Sequence, residues 1–274
     1  MSEGRLIVCS TPIGNLDDMS ARLRETLARV DVVYAEDTRR ARKLLADTDA
    51  APPVRSLFAG NEAKRTEELI EELKNGKDVA LVSDAGTPLV SDPGSRAVRR
   101  AHEEGLEVTV VPGPSAVTSA LVLAGFGADR FSFEGFLPRK GAERDRALSR
   151  IASEDRPVVL FASPNRLADD LTALRRHVGG DRQVAVAREM TKLHEEVWVG
   201  SFDEAVQRWS HEVKGEVTLV VEGGLPASMG DGEAIALARA LIDEGQSLSS
   251  AARQASDESG VSRRVIYQAL LAGQ

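Results

Sequence analysis

Several things are scarce in this sequence, and each scarcity removes a class of protein. Cysteine occurs once, as Cys9, so no disulfide can form within the chain, which suits a reducing cytosol. Cys9 ends the apolar run Leu6-Ile7-Val8-Cys9 and reads as a small buried hydrophobe rather than a nucleophile. The four histidines, His102, His177, His194 and His211, are scattered without metal-ligand spacing, and no metal is expected. Aromatic residues make up only 4% of the chain, so the core must be built from Val, Leu, Ile and Ala. No apolar run approaches the ~18 residues of a membrane span. The first ten residues lack the apolar stretch of a signal peptide, so the expectation is a cytoplasmic protein with no membrane contact.

Common phosphate-binding and nucleophile motifs are missing as well. No G-x-G-x-x-G follows the first strand, which leaves a Rossmann dinucleotide site unsupported. No G-x-x-x-x-G-K-[ST] supports a P-loop nucleotidase, and no G-x-S-x-G elbow or assignable Ser/His/Asp set supports a hydrolase.

What is present is a chain of 274 residues, 42% hydrophobic and 28% charged, as in ordinary globular domains. Its formal charge of -8 disfavours non-specific coating of nucleic acid but leaves room for a local basic face. Short apolar runs alternate with amphipathic stretches. Arg5–Cys9, Val32–Ala35, residues 54–58, Val79–Val82 and residues 108–111 read as strands. Helices fit between them, the first with Met19, Leu23 and Leu27 on one face and Asn15 or Asp17 as its cap. This alternation argues for an α/β fold with a mostly parallel sheet covered on both faces. Gly125-Phe126-Gly127 reads as a hinge into a second α/β set. There the strands at 184–187 and 196–200 are too close for a helical crossover and should pair antiparallel. A Gly-rich stretch over 223–232 marks another boundary. The expected division is residues 1–124, residues 125–226 and a helical tail over 227–274.

In open α/β sheets ligands bind beyond the carboxyl ends of the strands. The segments that follow strands in the first half are the least ordinary of the chain. They are Ser10 to Asn15, Glu36 to Arg40, the loop Ser83-Asp84-Ala85-Gly86-Thr87-Pro88 with Ser91-Asp92-Pro93-Gly94 behind it, and Pro112 to Ala116. Topology puts them on one edge, and small residues let backbone come close to a ligand. The residues alone reach an α/β protein with a small-residue pocket.

Seven motifs carry the reading further. In order they are Thr11-Pro12-Ile13-Gly14-Asn15-Leu16, Ala35-Glu36-Asp37-Thr38-Arg39, Ser83 to Pro88, Ser91 to Gly94, Pro112-Gly113-Pro114-Ser115-Ala116, Phe133-Glu134-Gly135-Phe136-Leu137-Pro138 and Ala187-Arg188-Glu189-Met190-Thr191-Lys192. In order and spacing the series resembles the ribosomal RNA small subunit methyltransferase I family, within the tetrapyrrole-methylase-like class of S-adenosylmethionine enzymes. The resemblance covers essentially the whole chain. It implies two α/β domains with the cofactor in the cleft between them and a small helical region at the end. It implies methyl transfer from S-adenosylmethionine to the 2′-hydroxyl of a cytidine in the decoding region of 16S rRNA, with rRNA or the small ribosomal subunit as partner, and a homodimer.

By the same resemblance, Gly86-Thr87-Pro88 takes the place of the class's Gly-Asp-Pro loop. Asp84, Ala85, Gly86 and Thr87 would face the cofactor, with Pro12 from the first loop and Ser115 and Ala116 from the start of their helix. The second domain would add Phe161, Ala162, Ala187, Val217 and Thr218. Ser91 to Gly94 would shape the loop and cap the next helix. Two departures stand out. Phe161-Ala162-Ser163-Pro164-Asn165-Arg166 lacks the acidic residue and histidine expected there, and Ala59-Gly60-Asn61-Glu62 keeps only the end of a His-Asn-Glu stretch.

A ribose hydroxyl is a weak nucleophile, so placement dominates catalysis, and a base adds about 10²–10⁴-fold. Asp37, Asp84, Glu134 and Glu189 are the candidate bases; the alternative for each is a helix cap or an arginine partner. Positive charge for RNA lies in Arg39, Arg40, Arg42 and Lys43 and in Arg139, Lys140, Arg144, Arg146 and Arg150. The tail reads as two helices joined at Ser259-Gly260 and resembles a helix-turn-helix, fit for RNA or for a dimer partner.

Three rival readings stand beside this one. Methylation of a tetrapyrrole or another small molecule is opposed by the Glu36-to-Arg39 and Phe133-to-Pro138 motifs and by the tail. A non-catalytic ribosome-assembly factor stays open because of Ala162. A generic nucleotide-binding module is disfavoured by the absent phosphate loops.

Overall fold

The computed structural model describes residues 3–46, 48, 51–211, 213–224 and 231–272. The first half alternates strictly: β1 (Arg5–Cys9), α1 (Ala21–Arg29), β2 (Val32–Ala35), α2 (Thr38–Leu45), β3 (Val54–Ser56), α3 (Glu62–Lys74), β4 (Val79–Val82), α4 (Ser95–Glu103), β5 (Glu107–Val111) and α5 (Ala116–Ala124). The five strands form one sheet in the order β3-β2-β4-β1-β5, and every pair is parallel. β4 is central and all four of its residues are buried, which is why it reads as a continuous apolar run. On one face Leu23, Leu27 and Leu44 of α1 and α2 pack against Ile7, Val33 and Ala80. On the other, Leu69, Leu73, Ala97 and Ala101 of α3 and α4 pack against Leu6, Tyr34 and Leu81. Cys9 is fully buried, and burial pushes its thiol up to about 12, so it is no nucleophile.

The helix α1 is capped by Ser20, whose Oγ accepts from Leu23 N at 3.1 Å, and not by Asn15 or Asp17 as its sequence suggests. Asn15 caps a separate one-turn helix, Leu16–Asp18.

The second half runs β6 (Ser132–Phe136), α6 (Ala142–Ser153), β7 (Val158–Ala162), α7 (Leu167–Val178), β8 (Gln183–Arg188), β9 (Glu196–Ser201), α8 (Phe202–Arg208) and β10 (Val217–Val221). Its sheet has the order β6-β7-β10-β8-β9. Only β6 and β7 are parallel; β10 runs antiparallel to both neighbours, and β8 and β9 form the expected antiparallel pair. Leu148, Ile151, Leu171, Leu174 and Phe202 of α6, α7 and α8 cover one face. The other face is covered by α5, which the first half contributes: Val117, Ala120, Leu121 and Ala124 pack on Val159, Ala185, Ala187 and Val220. The helix has no charged residue, and its Val117, Ala120, Leu121 and Ala124 are buried. Gly125 ends it at φ 71°, a left-handed position that glycine takes freely.

Three helices close the chain: α9 (Asp231–Asp243), α10 (Leu248–Ser259) and α11 (Arg263–Ala272). They share a small core of Ala234, Ala238, Ala252, Ala255, Ile266 and Leu270. The sequence announced the pair joined at Ser259-Gly260; α9 completes their packing. The boundary stretch at 225–230 lies outside the described residues. No helix among the described residues is long and apolar enough to cross a membrane.

Candidate active site

The order β3-β2-β4-β1-β5 sends the chain one way out of β1 and the opposite way out of β4. Connections that diverge from adjacent parallel strands open a crevice at their carboxyl ends. The two loops that leave there are stitched together. Thr11 N donates to Gly86 O at 2.8 Å and Gly86 N donates back to Thr11 O at 3.1 Å. Ser10 Oγ and Thr87 Oγ1 lie 3.1 Å apart, and Thr87 Oγ1 donates to Pro114 O at 3.4 Å, which ties in the loop before α5. Gly86 sits at φ 77°, and a Cβ there would stand 3.2 Å from Ile13 Cγ2. The glycine therefore serves both a left-handed turn and an open floor.

Above this floor lies a cleft of about 930 Å³ including its mouth. The first half lines it with Asp84, Ala85, Gly86, Thr87, Ser115 and Ala116, and the second half with Phe161, Ala162, Val217 and Thr218. All of these are positions that the family resemblance had implied for the cofactor. Pro12 lines a neighbouring recess that shares Ile13, Arg40, Asp84, Ala85 and Glu216 with the cleft. Ala187 is fully buried beneath α5 and does not reach the cleft surface. Ile13, Val90, Asp92, Phe136, Met190 and Glu216 also line the cleft and were not foreseen there. Ser115 makes no side-chain cap bond to α5, so the first-turn N–H groups of that helix stay open at the cleft edge.

Of the four carboxylates offered as bases, only Asp84 lines the cleft. It accepts from Asp37 N at 2.9 Å and pairs with Arg40 at 3.7 Å. Asp37 caps α2, accepting from Arg39 N at 2.8 Å, and pairs with the Arg39 side chain at 2.8 Å. The guanidinium and that backbone N–H hold its carboxyl well below the usual carboxylate range. Glu134 is not a cleft residue: Arg150 of α6 holds it at 2.7 Å, on the face of β6 opposite to Phe133, which packs against Phe161. Glu189 ends up outside the cleft too. Its Oε1 takes Lys192 Nζ at 2.7 Å and Glu216 N at 2.8 Å, and the lysine depresses its pKa.

Two other carboxyls behave differently. Burial, then Asp84, pushes Glu36 upward against the pull of Arg40. Burial, then Glu36 and Asp84, pushes Asp92 up to about 6. Asp92 does not cap α4, as its sequence context suggests. Glu62 does so from α3, its Oε1 accepting from Gly94 N at 2.9 Å and Arg96 N at 3.3 Å. A partner 32 residues away left no local signal in the sequence.

The cationic residues divide as well. Arg144 is no surface arginine: its side chain is 13% exposed, pairs with buried Asp170 at 2.8 Å and donates to Pro138 O at 3.0 Å. Arg166 joins the same carboxylate at 3.1 Å and also donates to Leu137 O and Pro138 O. Together they fasten the 137–138 turn to α6 and α7. Arg39 is exposed but paired with Asp37. Arg139 and Lys140 are exposed, three and four residues after cleft-lining Phe136, and no ion pair engages them among the described residues.

Residues 5–206 match the family described as Tetrapyrrole (Corrin/Porphyrin) Methylases. The chain is 50% identical over 228 residues to the ribosomal RNA small subunit methyltransferase I of Mycobacterium tuberculosis, covering 82% of this chain and 80% of that protein. It is 41% identical over 269 residues to the protein of the same description from Synechocystis, covering 97% and 96%. Among solved structures, diphthine synthase aligns with a TM-score of 0.62 at 18% identity, over 79% of this chain and 89% of that one. Uroporphyrin-III C-methyltransferase from Thermus thermophilus, complexed with S-adenosyl homocysteine, aligns with a TM-score of 0.57 at 16% identity, over 79% and 96%. At these identities the solved structures speak for the fold alone.

Proposed function

The chain belongs to the ribosomal RNA small subunit methyltransferase I family of the tetrapyrrole methylases, and from that we propose that it methylates the 2′-hydroxyl of a cytidine in the decoding region of 16S rRNA, with S-adenosylmethionine as methyl donor. The observation that carries this reading is the cleft itself, built at a strand-order switch from three stitched loops of small residues and closed by the second sheet.

The residues present fit the cofactor. Backbone at Ala85, Gly86 and Thr87 can approach it closely because the side chains are small. Phe136, Phe161 and Met190 offer apolar cover and exclude water. Asp84 and Glu216 give the cleft a negative lining that suits a ligand with two cationic groups, and the open N-terminus of α5 suits its carboxylate. When bound, S-adenosylmethionine supplies a methyl group made electrophilic by the sulfonium. The protein's task is then to hold the ribose hydroxyl in line and to keep water out.

The RNA side of the reading rests on position and charge. The recess beside the cleft is lined by Arg40, Lys43 and Lys192, and Arg139 and Lys140 stand exposed beyond Phe136. These cations are suited to phosphates that flank the target nucleotide. Arg39 precedes Arg40 in the first turn of α2. An rRNA substrate places the protein in the cytoplasm. The charge-free α5 leaves Val122 74% exposed and Leu123 43% exposed, and the edge strand β5 leaves Val110 51% exposed. Apolar surface of this kind favours a homodimer over a lone protomer, and sedimentation velocity tests it.

The decisive assay offers tritiated S-adenosylmethionine with three acceptors: small subunits lacking the modification, naked 16S rRNA and a tetrapyrrole. Label in rRNA alone is expected. Label in the tetrapyrrole alone would overturn the reading.

A further inference from the structure

We propose that Asp92 is the proton acceptor of the methyl transfer, in place of the carboxylates that the motifs single out. This role rests on the reading of the cleft as an rRNA 2′-O-methylation site. In that reaction the ribose oxygen forms a bond to the methyl carbon. The carbon–sulfur bond breaks with its electron pair staying on sulfur, which becomes a neutral thioether. The hydroxyl proton must leave, and Asp92 takes it.

Three carboxylates line the cleft: Asp84, Asp92 and Glu216. Asp84 is engaged by Asp37 N and Arg40, and Glu216 by Lys192 at 3.0 Å. Both already have a cationic side chain as partner. Asp92 has no arginine or lysine partner among the described residues; its neighbour is the Ser83 hydroxyl. It is free for this role because Glu62 satisfies the N-terminus of α4.

The loop is also held in place. It bends at two left-handed residues, Leu89 at φ 72° and Ser91 at φ 66°. The second sheet abuts it, since a Cβ on Gly135 of β6 would meet Ser91 Oγ at 3.0 Å. Such strain persists only where surrounding structure enforces it, and it is common where a side chain must be aimed.

The charged groups around Asp92 set its basicity. Burial acts first, followed by Glu36 from the turn before α2 and Asp84 at the end of β4. Arg40 of α2 and Glu216, just ahead of β10, line the same cleft, and Glu134 of β6 is turned away to Arg150. The result is a carboxylate that is ionised at neutral pH yet more basic than an ordinary aspartate, as a general base requires.

The test compares wild type, Asp92→Asn and Asp92→Glu on unmodified small subunits. Asp92→Asn should lower kcat by about 10²–10³-fold, with affinities for S-adenosylhomocysteine and subunits unchanged within about twofold. The acid limb of the kcat profile near pH 6 should vanish with it, and Asp92→Glu should recover part of the rate. Independently of turnover, carboxyl 13C NMR of the free protein should show one aspartate titrating near 6 that Asp92→Asn removes. An Asp92→Asn enzyme as fast as an active wild type would overturn the role while sparing the function. So would a carboxyl that titrates at the ordinary aspartate value. A wild type that methylates no rRNA would overturn the function, and this role with it.

Discussion

The replacement Arg144→Ala separates an arginine that holds the fold from one that holds RNA. In the sequence Arg144 belongs to a basic cluster with Arg139 and Lys140. In the structure it is bonded to Asp170, whose side chain is 4% exposed, at 2.8 Å. Removing one partner of a buried ion pair costs about 3–5 kcal/mol, because the remaining charge is left uncompensated. Here Asp170 keeps Arg166 at 3.1 Å, so about half of that loss is expected, roughly 1.5–2.5 kcal/mol. For a protein of this size each kcal/mol lowers Tm by about 2–4 °C, which gives a drop of roughly 3–10 °C. Urea unfolding and thermal melting measure it. The companion measurement is RNA affinity against salt. An arginine on a phosphate contributes about 0.7–0.9 to the slope of log affinity against log salt, and Arg144 should contribute nothing. A variant of unchanged stability with a flatter salt slope would refute this reasoning.

Three further outcomes follow from the same structure. Replacing Arg139 and Lys140 together with Ala should leave stability unchanged within about 0.5 kcal/mol and flatten the RNA salt slope by about 1.4–1.8; an unchanged slope would remove them from the RNA surface. Gly86→Ala should cost about 1–2 kcal/mol for its left-handed backbone and displace Ile13, which isothermal titration should register as about tenfold weaker binding of S-adenosylhomocysteine. Asp92→Asn should stabilise the protein at neutral pH. The folded Asp92 pKa of about 6 lies above that of the unfolded chain, near 3.9, so the ionised carboxylate is disfavoured in the fold. Wild type should match the variant below about pH 4 and fall behind it by about 1–3 kcal/mol as pH rises through 6, and urea midpoints that keep a constant gap across that window would contradict it.

Much of the scaffold was legible because parallel strands buried on both faces must read as unbroken apolar runs, as Val79 to Val82 does. The cleft loops were legible because close backbone approach demands small residues, and Ser83 to Pro88 and Pro112 to Ala116 have little else. What escaped was partner choice over distance. Asp92 looks like a cap for α4, and only the fold brings Glu62 there in its place. Arg144 looks exposed until α7 supplies Asp170. Glu134 and Phe133 are adjacent, yet the pleat sends one to α6 and the other to α5. The placement of β10 between β7 and β8, and of α5 over the second sheet, likewise depends on contacts that no local pattern encodes.

The most direct test of the central claim is nucleoside mass spectrometry of 16S rRNA after incubation of unmodified small subunits with the purified protein and S-adenosylmethionine. About one new 2′-O-methylcytidine per subunit is expected, mapped by fragment analysis to the decoding region. A methyl group on a base, or no new methylated nucleoside from a protein that binds S-adenosylhomocysteine, would contradict it.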